Sequence, residues 1–196
     1  MDNLPLLLEH IVSKLKCGLS EELTYHSLEH TLDVFTQAGN IAVAESVKDP
    51  EQLYLLKVAA LYHDSGFLFI YRGHEEAGCN LASRELPAFG LQQKQIDIIC
   101  GIIMATKIPQ SPYNHLEQII CDADLDYLGR DDYDVISNTL YHEFLREGFV
   151  KNDDDWLNMQ ISFFESHHYF TEWSRKNRAP VKQQHFEKLM ASRKVK

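Results

Sequence analysis

No apolar run in this chain approaches the roughly 20 residues that a helix needs to cross a bilayer. The sequence is also short of positive charge: 19 Lys and Arg stand against 29 Asp and Glu, a net charge of −10. That balance argues against duplex nucleic acid, where a basic surface supplies most of the affinity. It leaves open a small phosphorylated partner, because a bound cation can neutralise phosphate locally. Cysteine is sparse, and Cys17, Cys79, Cys100 and Cys121 form no CxxC pair. Three of the four lie in apolar stretches, which suits buried thiols rather than a disulfide framework. The first residues, MDNLPLLLEHIVSKLK, lack a basic leading region and a small-residue cleavage site. They read as an amphipathic helix rather than a secretory leader, which makes the cytoplasm the default compartment.

Alternating strand patterns, internal repeats and low-complexity linkers are missing too. What is present is helical periodicity, with most of the 9 Gly and 6 Pro falling between segments. Helices are predicted over 4–16, 20–46, 53–62 (after a start signal at 49–52), 74–86, 91–106, 115–128, 132–147, 154–175 and 181–192, with 107–114 as a loop around Pro109 and Pro112. Asp49-Pro50-Glu51-Gln52 carries a start signal, since Asp49 can cap and Pro50 suits the first helical position. Leu53 to Tyr62 is apolar almost all round, which places that helix centrally in the core. The expectation is an all-α chain of one domain, residues 1–196, with a motif-bearing core over 20–130 and C-terminal helices over 131–196 packed on it. The basic tail from Asn177, with Arg178, Lys182, Lys188, Arg193, Lys194 and Lys196, reads as a solvated face or frayed end.

Three features stand out against this background. The central helix ends in His63-Asp64, followed by Ser65-Gly66. Ionisable groups at the end of a buried element cost several kcal/mol if left unpaired, roughly 2–7 for a neutral polar group and more for a charge. A helix C-terminus also repels a carboxylate. Asp64 therefore either caps the next turn or answers a positive charge. His26 and His30 are four residues apart, so on one helix they share a face; this is a metal-binding geometry and also a common surface pairing. In 116–128, Gln118, Asp122 and Asp126 form a polar stripe expected to face solvent, whereas Asp124 falls in the row Ile120–Asp124–Leu128 toward the core. Asp124 thus needs a partner, with Asp122 the fallback. One divalent cation satisfies all three oddities, since two imidazoles and two carboxylates suit Mn, Fe, Co, Ni, Zn or Mg.

These stretches, Tyr25-His26-Ser27-Leu28-Glu29-His30-Thr31-Leu32-Asp33-Val34, Leu61-Tyr62-His63-Asp64-Ser65-Gly66 and Ile120-Cys121-Asp122-Ala123-Asp124-Leu125, resemble the HD-domain superfamily of metal-dependent phosphohydrolases. The first is similar to the Tyr-His-x-x-x-His-x-x-Asp-Val pattern of cyclic-nucleotide phosphodiesterases and some small HD hydrolases. The resemblance implies a helical bundle with the metal between its central helices, held by His30, His63, Asp64 and Asp124. It implies that His26 protonates the leaving oxygen, that Asp64 or Asp124 serves as general base, and that the substrate is a small phosphoester or phosphoanhydride, with a nucleotide first in line.

In two-metal relatives a histidine such as His74, in His74-Glu75-Glu76-Ala77-Gly78, adds a ligand, and another follows near the end of the next helix. Here that place reads Met104-Ala105-Thr106-Lys107, so one metal is expected, with His74 or Glu75 behind it or holding a water. Arg72, Lys107 and Arg130 follow motif segments and are candidate phosphate clamps, or solvated surface cations. His10, His115, His142, His167, His168 and His185 lack such context. Three other functions stay open at this stage: a silent nucleotide-binding sensor, a di-iron oxygenase and a purely structural helical protein. A homodimer is also open.

Overall fold

A computed structural model describes residues 3–194, Lys194 by its backbone alone, so Lys196 of the tail lies outside the described residues. Ten α-helices and three short 3-10 turns make up the regular structure, and no strand occurs among the described residues. The first six helices are α1 (Leu4–Gly18), α2 (Leu28–Ala44), α3 (Pro50–Tyr62), α4 (His74–Glu85), α5 (Gln93–Ala105) and α6 (His115–Asp124). Asp49 caps α3 by accepting from Glu51 N–H at 2.9 Å, with Pro50 in the first turn. The helix is buried on every side, as its composition demands, and α1, α2, α4, α5 and α6 all pack against it. Around it lies a continuous core of mostly aliphatic side chains that includes Leu7, Ile41, Leu56, Leu61, Ile99 and Ile120.

The remaining helices are α7 (Tyr133–Arg146), α8 (Asp153–Ser166), α9 (Glu172–Asn177) and α10 (Ala179–Lys194). They close over the 3-10 turn Asp126–Gly129 and form a second, aromatic core in which Tyr25, Tyr127, Tyr133 and Phe164 meet. The structure thus divides the predicted 154–175 helix in two at 167–171, where the chain turns back onto α6.

Three expectations are corrected here. The helix predicted from residue 20 begins only at Leu28. Ser27, in an extended conformation, caps it by accepting from His30 N–H, so His26 precedes the helix and does not share its face with His30. Asp122 and Asp126 do not face solvent; both are fully buried. Asp122 accepts from the Phe170 and Thr171 backbone N–H groups and from the Thr171 hydroxyl, while Asp126 receives Arg178 and Arg130. A wheel drawn on one helix cannot show that 167–178 covers it. Nor is the basic tail solvated throughout, although Lys188 and Arg193 are exposed. Lys182 is buried and donates from Nζ to the Phe164 and His167 carbonyls, and His185 bonds the Arg130 carbonyl at 2.9 Å. The four cysteines are free thiols, but only Cys121 is fully buried.

Two glycines mark where backbone passes backbone. A Cβ on Gly66 would stand 1.8 Å from the His74 carbonyl oxygen, so the turn after His63-Asp64 can lie on the start of α4 only without a side chain. A Cβ on Gly129 would come within 2.5 Å of the Arg178 carbonyl oxygen, at the junction with the C-terminal helices.

Candidate metal centre

The end of α3 explains the first half of the site. His63 is its C-cap and is wholly buried. Its Nδ1 bonds the Ala60 carbonyl at 2.9 Å, which places the proton on Nδ1 and leaves Nε2 as a lone pair. Asp64 follows, beginning the 3-10 turn Ser65–Leu68, and its carboxylate makes no capping bond. The capping alternative is thereby excluded. The side chain instead turns toward the histidines, and its buried Oδ2 has no hydrogen-bond partner. His30 enters from the first turn of α2 and Asp124 from the last residue of α6.

The four side chains converge. His30 Nε2 lies 3.1 Å from Asp124 Oδ1, 3.3 Å from Asp64 Oδ2 and 3.4 Å from His63 Nε2. His63 Nε2 lies 3.2 Å from Asp64 Oδ2 and 3.5 Å from Asp124 Oδ1. Adjacent ligands at the usual ~2.0–2.2 Å from one cation stand roughly 3–3.5 Å apart, so all five separations fit a shared cation. Within this group, one donor atom each from His30, His63 and Asp124 lies within 4.8 Å of the other two. An orphaned buried carboxylate oxygen aimed at two imidazole nitrogens is what a cation would satisfy. The donor set of two nitrogens and two oxygens therefore fits a divalent metal.

Without a cation, protons take its place electrostatically. Burial opposes charge on His30, but the Asp124 and Asp64 carboxylates beside its Nε2 outweigh it and push its pKa up to about 9. The same balance raises His63 well above the ordinary imidazole value. Burial would raise Asp124, yet its bonds to His30 and His63 bring it down to about 2; Asp64 is lowered as well.

Beside this group, His74 opens α4 and bonds the Tyr71 carbonyl through Nδ1 at 3.0 Å. Its Nε2 faces Asp64 Oδ1 and Glu75 Oε1, both at 3.5 Å. Thr106, from the segment 104–107 that lacks the second-metal histidine, stands nearby, and its hydroxyl is tied to the Ile103 carbonyl at 2.8 Å. Asp122 does not belong to the group, being bonded to 170–171.

His26 lies beside the ligands, its ring centroid 6.2 Å from that of His30, and stacks on Phe67, which also stacks with His74 at 4.0 Å between centroids. The His26 Nδ1 bonds the Glu143 carboxylate. Glu143, from α7 and 1% exposed, also accepts from Tyr25 N–H at 2.9 Å, His26 N–H at 3.1 Å and the Tyr71 hydroxyl at 2.6 Å. The ring is thus fixed with Nε2 as its free nitrogen. Neither Glu143 nor Phe67 was visible in the sequence. Glu143 lies 117 residues from His26 in a helix of mixed polar and apolar residues, and its burial, which would have marked it, depends on that distant segment.

The three candidate clamps have other partners. Lys107 pairs with Glu76 at the surface, Arg72 is exposed and lies over Phe149, and Arg130 is held by Asp33, Asp126 and Asp132. His10 and His115 pair with Glu85 and Glu45; His167 and His185 pack on Phe163 and Tyr133.

A helical fold that gathers His, His-Asp and Asp from three helices around one point defines a class of metal-binding α-domain. The sequence profile of the HD domain matches residues 27–126, about half the chain and all four converging residues. The chain belongs to the HD-domain family, whose members bind divalent metals and include metal-dependent phosphohydrolases. No curated protein and no solved structure matches it significantly. No helix among the described residues is long and apolar enough to cross a membrane.

Proposed function

We propose that the protein is a phosphohydrolase using one divalent cation held by His30, His63, Asp64 and Asp124, and that its two cores act as one catalytic unit. The observation that carries this reading is the mutual spacing of 3.1–3.5 Å among donor atoms around the partnerless Asp64 Oδ2. A cation bound there supplies Lewis acidity toward a phosphoryl oxygen and lowers the pKa of water.

The chain's own residues do the rest. Asp64 and Asp124 are the bases within reach of a water beside the site, and both keep their carboxylates ionised at neutral pH. His26 holds a proton at Nε2 and delivers it to the departing oxygen, while Glu143 keeps its Nδ1 occupied and its plane fixed against Phe67. His74 and Glu75 flank Asp64, and a water between the His74 Nε2 and these carboxylates can be held there. The partners of Arg72, Lys107 and Arg130 disfavour their role as clamps, so the cation carries the phosphate's charge. The nucleotide expectation rests on the resemblance alone.

The test is hydrolysis of a phosphodiester, a phosphomonoester and a nucleotide panel with Mn²⁺, Mg²⁺, Co²⁺ or no metal, with Asp64→Ala as control. Metal-dependent turnover lost in the variant supports the reading. Tight metal binding without turnover of any substrate would favour a silent binding module instead.

A further inference from the structure

The chamber that borders Asp64 and Asp124 has a chemistry of its own. It encloses about 360 Å³, within the range of small-molecule sites. His26, Asp64, His74, Glu75 and Asp124 line it on the side of the HD motif. The opposite wall is apolar and comes from α7, α8 and the turn before them, with Leu128, Leu140, Phe144, Trp156, Met159 and Phe163 prominent. Several of these, including Leu140, Phe144, Trp156 and Met159, are only half-buried, so their faces are available to an occupant. Gln160 is the main polar group of that wall. It donates to the Tyr133 hydroxyl at 2.6 Å and the Ser137 hydroxyl at 2.8 Å, so its amide hydrogens are committed within the wall.

Among the described residues, no Lys or Arg lines the chamber, while three carboxylates do. One dication therefore leaves no positive surplus for a second or third phosphate. A ribose and base against the apolar wall would lose water without gaining partners, at about 1–3 kcal/mol for each unpaired group. An alkyl or aryl group gains there instead, by about 0.8 kcal/mol for each buried CH₂.

Resting on the phosphohydrolase reading, we infer that the substrate is a phosphate monoester of an apolar alcohol, its alkyl or aryl part lodged against α7 and α8. In the reaction a water oxygen joins phosphorus as the bond from phosphorus to the alcohol oxygen breaks. The water's proton goes to an aspartate and the alcohol oxygen takes one from His26, so the products are the free alcohol and inorganic phosphate.

The experiment is calorimetric titration of the Mn²⁺-loaded protein with hexylphosphonate, methylphosphonate and adenosine monophosphate, none of which needs turnover to be read. The expected result is hexylphosphonate binding on the order of 100-fold tighter than methylphosphonate, with the nucleotide no better than methylphosphonate. Met159→Asp and Leu140→Asp should bring hexylphosphonate to within about 3-fold of methylphosphonate while leaving Mn²⁺ affinity unchanged; the chain-length series on the wild type stands even if a variant misfolds. Equal affinity for the two phosphonates, no phosphonate binding, or tighter nucleotide binding would overturn the inference. Turnover separates the two readings. Selective binding without hydrolysis of hexyl phosphate would overturn only the hydrolase, and metal-dependent hydrolysis of nucleotides but not hexyl phosphate would overturn only the apolar substrate.

Discussion

The two cores of this molecule are built differently. Around α3, aliphatic side chains such as Leu56, Leu61 and Ile99 are fully buried and hold the ends of three helices in register. Around the 3-10 turn Asp126–Gly129, a mostly aromatic layer borders a chamber of about 360 Å³. The first region brings four donor atoms together with the fine tolerance a cation demands. The second supplies the apolar wall of the chamber and the Glu143 that holds His26. Rigid packing and open space have been allotted to separate parts of one fold, and the comparison can be broken at several points.

The largest effect is expected at Gly66. Gly66→Ala places a methyl group against the backbone of α4 and should cost more than about 3 kcal/mol in chemical denaturation, with metal binding lost. Gly129→Ala, which meets Arg178 instead, should cost less and spare the metal site. Next, Ile99→Ala in the aliphatic core should cost about 3 kcal/mol, whereas Met159→Ala beside the chamber should cost under about 1 kcal/mol. Equal costs would abolish the distinction between the two cores.

Glu143→Gln tests whether the second region serves chemistry. Turnover should fall about 100-fold with a changed pH profile, and Mn²⁺ affinity should hold, because Glu143 touches His26 rather than the ligands. A loss confined to stability would make Glu143 merely structural.

The smallest effect concerns pH in the metal-free protein. His30 is raised from 6.5 to about 9 on folding, so its stabilisation is complete below about pH 6.5 and fades as pH rises through 9. Asp124 is lowered from 3.8 to about 2, so its share is present above 3.8 and fades as pH falls toward 2. Thermal melting should therefore decline by a few degrees between pH 6.5 and 9 without metal, and saturating Mn²⁺ should remove that decline.

The two regions also differed in how far their sequence could be read. His63-Asp64 and Asp124 were visible because a polar group at the end of an apolar helix, or in an apolar row, breaks a local pattern. The start of α2 was misplaced because Ser27 lacks the Glu or Gln three residues on that would announce a capping box; His30 stands there. Asp122 and Asp126 looked solvent-facing because their burial depends on residues about 50 positions away. The chamber left no trace in periodicity, since its walls are ordinary apolar faces of α7 and α8 that meet empty space instead of each other.

The measurement that bears most directly on the central claim is a calorimetric titration of Mn²⁺ into metal-stripped wild type and Asp64→Asn. The account predicts one equivalent bound by the wild type, with affinity rising with pH as protons leave the histidines, and affinity reduced at least 100-fold in the variant. Undiminished binding by Asp64→Asn, or two tight equivalents in the wild type, would contradict it.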